Sequence, residues 1–166
     1  MNAFWSYFWP AFAAGLVAGL IAGTIAYRRE SKRLIIHAAG AFAAVLLAGL
    51  WHGPLGGADR FATRTERNAQ KLLVYLEVPN FKAHLRRAPL TRTVLLSGAA
   101  NDFQRSTIVH YTEQIPGVAK ASWSGDERPL PLIVEGSAAS LLGFLGGLVL
   151  AYLIELRRRH NLQWNW

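Results

Sequence analysis

A membrane protein of three transmembrane helices carrying one small extracytoplasmic α+β domain is the fold class this sequence predicts. Three observations lead there. Residues 4–27, 34–51 and 137–154 contain no Asp, Glu, Lys or Arg, and each run is close to the ~20 residues that cross a hydrocarbon core about 30 Å thick. Basic clusters border these runs: Arg28, Arg29, Lys32 and Arg33 after the first, and Arg157, Arg158 and Arg159 after the third. Between the second and third runs, residues 55–136 carry the shorter apolar periodicities of a soluble fold. The average conceals this mosaic, with 52% hydrophobic residues and a mean hydropathy of only +0.18.

The first run is expected to be a retained helix rather than a cleaved signal peptide, since it is long and lacks a positive leader. Aromatic residues crowd its start, with Trp5 and Trp9 placed as interfacial anchors. Pro10 follows within the first turns, where a missing N–H is tolerated. Gly15, Gly19 and Gly23 stand four apart, a small-residue face that lets another helix backbone approach closely. The same spacing recurs as Gly40, Ala44 and Ala48 in the second run and as Ala139, Gly143, Gly147 and Ala151 in the third. A packed bundle is expected, with the partner of each face, inside or outside the chain, left open. Arg157, Arg158, Arg159, Trp164 and Trp166 are the expected anchors at the far end.

Topology follows from the short flanks, because Lys and Arg beside spans stay cytoplasmic. With three spans, the loop 28–33 and the tail after 154 fall on one side. Residues 1–54 then form a hairpin of two spans, 55–136 an outward domain, and 137–166 the third span with its tail. The N-terminus and residues 52–136 are expected in the periplasm and the C-terminus in the cytoplasm, across a bacterial inner membrane. The formal net charge of +8 could suggest nucleic acid. The charges lie densest against the apolar runs, however, so membrane lipids and other integral membrane proteins are the expected partners.

In the outward region, Asp59 to Glu77 reads as a helix capped by Asp59, with Ala62, Ala69, Leu72, Leu73 and Leu76 at helical spacing. Val78-Pro79-Asn80 breaks it. Phe81, Ala83 and Leu85 alternate with Lys82, His84 and Arg86 as a half-buried strand. Ala88-Pro89-Leu90 turns into a buried strand at Thr93–Ser97, stopped by Gly98. Asn101 with Gln104 has the spacing of a capping box; Ile108, Tyr111 or Thr112, and Ile115 then make a core-facing stripe. Pro116-Gly117 ends that helix, and Val118–Trp123 starts a further strand. The 126–129 stretch is expected as a loop and Leu130–Val134 as an edge strand. The order is helix, strand, strand, helix, strand.

Over residues 68–124 this domain resembles the BON family. The resemblance lies in Val94-Leu95-Leu96-Ser97-Gly98, the amphipathic helix after it, and Ile115-Pro116-Gly117-Val118. Ala121, Ser122 and Trp123 depart from the family's usual β-branched residue and Asn. The resemblance implies a non-catalytic envelope module that contacts phospholipid or protein, with Gly98 and Gly117 serving turns.

Catalytic and cofactor chemistry find little footing. The chain has no cysteine, which excludes disulfides and thiolate metal sites. His37 and His52 stand about 22 Å apart along one helix at 1.5 Å per residue, too far to share a metal. Ser106, His110 and Glu113 superficially spell a triad, but on a solvated face with no oxyanion hole. No enzymatic activity and no cofactor are expected. Lys82, Arg86, Arg87 and Arg92 form a basic patch around the hairpin, the candidate contact for lipid phosphate or a partner. The expected function is a binding module tethered to the inner membrane. The alternative is an accessory subunit of a larger respiratory or photosynthetic complex, docked through its small-residue faces.

Overall fold

The computed structural model describes residues 2–78, 80–125 and 129–163. In chain order the elements are α1 (Ala3–Arg28), α2 (Arg33–His52), α3 (Gly57–Tyr75), β1 (Lys82–Arg87), β2 (Leu90–Ser97), α4 (Asp102–Glu113), β3 (Lys120–Ser122) and α5 (Leu132–Gln163). Three of the helices, α1, α2 and α5, are long and apolar enough to cross a membrane. The chain divides into two compact units: Met1–Tyr7 with Gly56–Glu135, and Phe8–Leu55 with Gly136–Trp166.

The first unit is a three-stranded sheet in the order β1-β2-β3 with helices packed on it. β1 and β2 form an antiparallel hairpin that pairs Ala83 with Leu96 and Leu85 with Val94. β3 joins β2 in parallel, with Ala121 beside Val94. The alternation read in β1 holds, since Phe81, Ala83 and Leu85 are buried while Lys82 and His84 are exposed. Phe61, Ala69 and Leu73 of α3, Ile108 of α4, Val94 and Leu96 of β2, and Val118 supply the buried apolar residues. Each large side chain so buried contributes about 1.5–3 kcal/mol. Tyr7 also belongs here, its ring 5.7 Å from that of Phe61.

Local signals set the ends of α4. Asn101 Oδ1 accepts the Gln104 N–H at 2.8 Å, and Gln104 Oε1 accepts the Asn101 N–H at 3.2 Å, a reciprocal capping box. Thr112, not Tyr111, faces inward; its hydroxyl donates to the Ile108 carbonyl at 2.7 Å, which satisfies a buried polar group. Glu113 Oε1 accepts the Ala121 N–H at 3.1 Å and ties the helix to β3. Gly117 has φ +113° and Gly98 φ +147°, conformations that a side chain would strain. An added Cβ at Gly98 would also collide with the Phe81 ring.

Several boundaries differ from expectation. The cap of α3 is Gly56, at φ +71°, and Asp59 falls in the first turn. Leu130–Val134 is not an edge strand. Only Pro131 bridges to Thr91, and Leu132 already begins α5. Helix α5 also outruns the uncharged stretch 137–154 at both ends, where several flanking charges are paired. Glu135 bonds Arg92 at 2.9 Å, and Glu155 bonds Arg158 and Arg159 at 2.8 and 3.2 Å. Pro79 and residues 126–128, where a helix break and a loop were expected, lie outside the described residues, as do Trp164 and Trp166.

The second unit is a bundle whose interior is mostly glycine and alanine, packed around Phe144, and whose outside carries large apolar residues. Ala44 and Ala48 of α2, Phe144 and Ala151 of α5, and Ala22 of α1 are buried. Val17, Ile21, Phe42, Leu46, Leu142 and Val149 are more than half exposed.

Candidate functional site

The four hairpin cations do not form one free patch. Arg87 Nη2 bonds Glu66 Oε2 at 2.7 Å, and Glu66 Oε1 also accepts the Leu85 N–H at 3.0 Å. Burial alone would push the Glu66 carboxyl up. The bonds from Arg87 and Leu85, with the charges of Arg87 and His84, overcome that and hold it below the usual carboxylate value. Arg92 is a junction residue. Its Nε donates to the Gly117 carbonyl at 3.0 Å, its Nη1 to Glu135 at 2.9 Å, and its guanidinium stacks 5.0 Å from the centre of the Phe4 ring. Arg86 donates to the Gly125 carbonyl at 3.3 Å, and Lys82 is exposed. Arg87 and Arg92 thus also act as internal ties, because each meets a carboxylate that the hairpin sequence does not contain.

A different basic surface lies on α3. Arg64, Arg67 and Lys71 follow one another at i, i+3 and i+7, so they share a helix face. With Asn2, Ser6 and Asn68 they line a groove of about 510 Å³. All three cations are exposed, and among the described residues none is paired with a carboxylate. The cation spacing was visible in the sequence; the opposite wall, from the start of α1, was not.

The small-residue faces meet one another. An added Cβ at Gly15 would strike the Ser140 carbonyl, one at Gly19 the Phe144 carbonyl, and one at Gly143 the Phe12 carbonyl. At Gly147 it would collide with the Leu16 carbonyl, and at Gly23 it would lie 2.6 Å from Ala151 Cβ. Gly40 admits Ala22 and the Phe144 ring. Ala139 is only half-buried. The neighbouring Ser140, which no spacing singled out, is fully buried and donates to the Ala44 carbonyl at 2.9 Å.

At one end of this bundle Arg33 lies 4.8 Å above the Tyr27 ring, and Tyr27 faces Tyr152 at 6.0 Å. Arg33 and Arg159 line the same hollow of about 250 Å³. Arg157 is exposed on the same final turns. Trp5 and Trp9 on α1 are each about half exposed.

The would-be triad is not assembled. Ser106 Oγ donates to the Phe103 carbonyl at 2.9 Å, His110 Nε2 lies 3.1 Å from the Gln114 amide, and Glu113 is held by β3. Among the described residues no group of three His, Cys, Asp or Glu side chains could hold a metal ion. No protein-family model, curated protein or solved structure matches this chain.

Proposed function

We propose that this protein is a non-catalytic binding module anchored in a bacterial inner membrane by three spans, with its α+β unit on the periplasmic side. The observation that carries the reading is the inverted pattern of the bundle: mostly glycine and alanine inside around Phe144, large aliphatic and aromatic residues outside. In water so many exposed large apolar side chains would be out of place, since soluble monomers rarely expose contiguous apolar patches beyond a few hundred Å². In lipid it is the ordinary arrangement, because close backbone approach rather than hydrophobic sorting holds the helices together. Arg33 and Arg159 sharing one hollow supports placing both basic clusters on the cytoplasmic side. The helix–strand–strand–helix–strand order accords with the BON-like reading of the outward unit.

The accessory-subunit reading is weakened by the same geometry. Its docking surface was to be the glycine faces, and these are occupied by the chain's own helices. A phosphatase fused after Gly125 should be active and a fluorescent protein fused to the C-terminus should fluoresce. The protein should also leave native membranes in mild detergent without a stoichiometric integral partner. An inactive Gly125 fusion beside a dark C-terminal fusion would overturn the topology, and a constant stoichiometric partner would restore the subunit reading.

A further inference from the structure

We infer that the groove between the C-terminal halves of α3 and α4 binds an N-acetylated pyranose of a glycan chain. Tyr75 on α3 and Tyr111 on α4 line one hollow of about 450 Å³, together with half-buried Leu72 and Ile115 and exposed Asn68 and Gln114. Tyr75 is 83% exposed and Tyr111 42%. A lone apolar side chain on a surface is ordinary, but here two rings from different helices meet at the same hollow. Thr112 takes the inward position near the end of α4, which leaves Tyr111 outside the core. At that volume the groove falls within the range of small-ligand sites, ~300–1,000 Å³.

The lining suits a ligand that is apolar on its face and polar at its edge. A pyranose presents C–H groups on its face, and these are attracted to the negative face of an aromatic ring. Its hydroxyls both donate and accept hydrogen bonds, as the Asn68 and Gln114 amides do. An acetamido group adds a methyl for Leu72 and Ile115 and a further amide for the polar border. Other guests fit less well. A hydrocarbon chain would leave both amides without a partner. A quaternary ammonium, which exposed tyrosine rings also suit, would meet Lys71 in the same lining. A folded protein needs about 20–30 residues a side, whereas eight line this groove. The α4 wall is braced in advance: the His110 ring lies 5.7 Å edge-on from Tyr111, and its Nε2 lies 3.1 Å from the Gln114 amide nitrogen. Side chains fixed before the ligand arrives lose little freedom on binding. The source of the sugar rests on the periplasmic reading proposed above, under which it is the N-acetylated glycan of the cell wall.

The test titrates tri-N-acetylchitotriose into the full-length protein by calorimetry, in a detergent whose headgroup is not a sugar. Saturable binding is expected, with maltotriose, which has the rings but no acetamide, bound about tenfold more weakly. Tyr75→Ala and Tyr111→Ala should each weaken binding about tenfold through loss of one aromatic platform. Tyr75→Phe keeps the ring and should bind as the wild type does. So should Phe103→Ser, which removes an exposed ring of α4 outside the groove. Melting followed by circular dichroism checks that each variant folds; if Tyr111→Ala melts early, Tyr75→Ala decides. Binding in detergent does not depend on which side of a membrane the unit faces. A Gly125 fusion that places the unit in the cytoplasm, beside intact sugar binding, would therefore leave the site standing and remove only the cell-wall source. Absence of saturable binding, equal binding of maltotriose, or wild-type binding by a folded Tyr75→Ala variant would each overturn the inference. So would tighter binding of a proline-rich peptide, the other guest of aromatic-lined grooves, than of the sugar.

Discussion

Gly146 and Gly147 are neighbours in α5, and replacing each with alanine should have opposite consequences. A Cβ at position 147 would lie 2.6 Å from the Leu20 nitrogen and 2.9 Å from the Gly19 carbonyl carbon, while at position 146 no atom lies within 4 Å. Ordinary contact between carbon atoms needs about 3.5–4.0 Å, so α5 in the Gly147→Ala variant must retreat from α1 by roughly 1 Å. A gap of about that size forfeits a quarter to a half of each contact's attraction. The loss would extend along the seam past Gly143, Gly19 and Gly15. Overpacking of this kind costs about 1–3 kcal/mol. Both variants exchange glycine for alanine in the middle of one helix, so the gain in helix propensity cancels from the comparison. Gly147→Ala should therefore be less stable than Gly146→Ala by about 1–3 kcal/mol. Reversible unfolding of the full-length chain in mixed micelles, followed by circular dichroism during a titration with denaturing detergent, measures that difference. Two variants within about 0.5 kcal/mol of each other, or Gly146→Ala as the weaker one, would refute the assigned seam.

Ile108→Asp puts a carboxylate at a position only 3% exposed and should unfold the α+β unit, costing more than about 4 kcal/mol; Phe103→Ser, on the exposed face of the same helix, should leave its amide-exchange protection intact. Arg92→Gln should destabilise that unit by about 1–3 kcal/mol, since its loss strands Glu135. Unchanged melting of the variant would contradict this. The Glu66 carboxyl is held below its ordinary value of 4.5 in the folded chain, so its contribution is complete above that pH and is lost as pH falls through the lower folded value. The melting temperature of the wild type should thus exceed that of Glu66→Gln at pH 7, with the gap closing on acidification below pH 4.5; a gap that widens on acidification would mean the ion pair has been misjudged.

What could be read from the sequence and what could not separate along a physical line. The element order was legible because hydrophobic period is a local property: two for the Phe81–Arg86 stretch, about 3.6 for the Ile108 helix. The capping box was legible for the same reason, since Asn101 and Gln104 lie within one turn. Charge was the misleading signal. Glu135 and Glu155 look like the ends of a span until their partners are known. Arg92 looks free for a ligand until Glu135, Gly117 and Phe4, all distant in sequence, close around it.

The bundle interior makes the same point at the level of single residues. A four-residue spacing of small side chains marks a face, and glycines at 15, 19, 23, 143 and 147 do lie where another helix comes near. Spacing cannot say which member of a pair such as Ala139 and Ser140 points inward. Ser140 wins because its hydroxyl finds the Ala44 carbonyl, 96 residues earlier in the chain. A buried hydroxyl without that acceptor would cost about 1–3 kcal/mol, and alanine at 139 would then have been the natural inward residue. The choice is made by a carbonyl on another helix, which leaves no trace in the sequence around residue 140. The same holds for the basic groove on α3: three cations at helical spacing are a solvated face on their own, and they line a groove only because the first turn of α1 closes the other side.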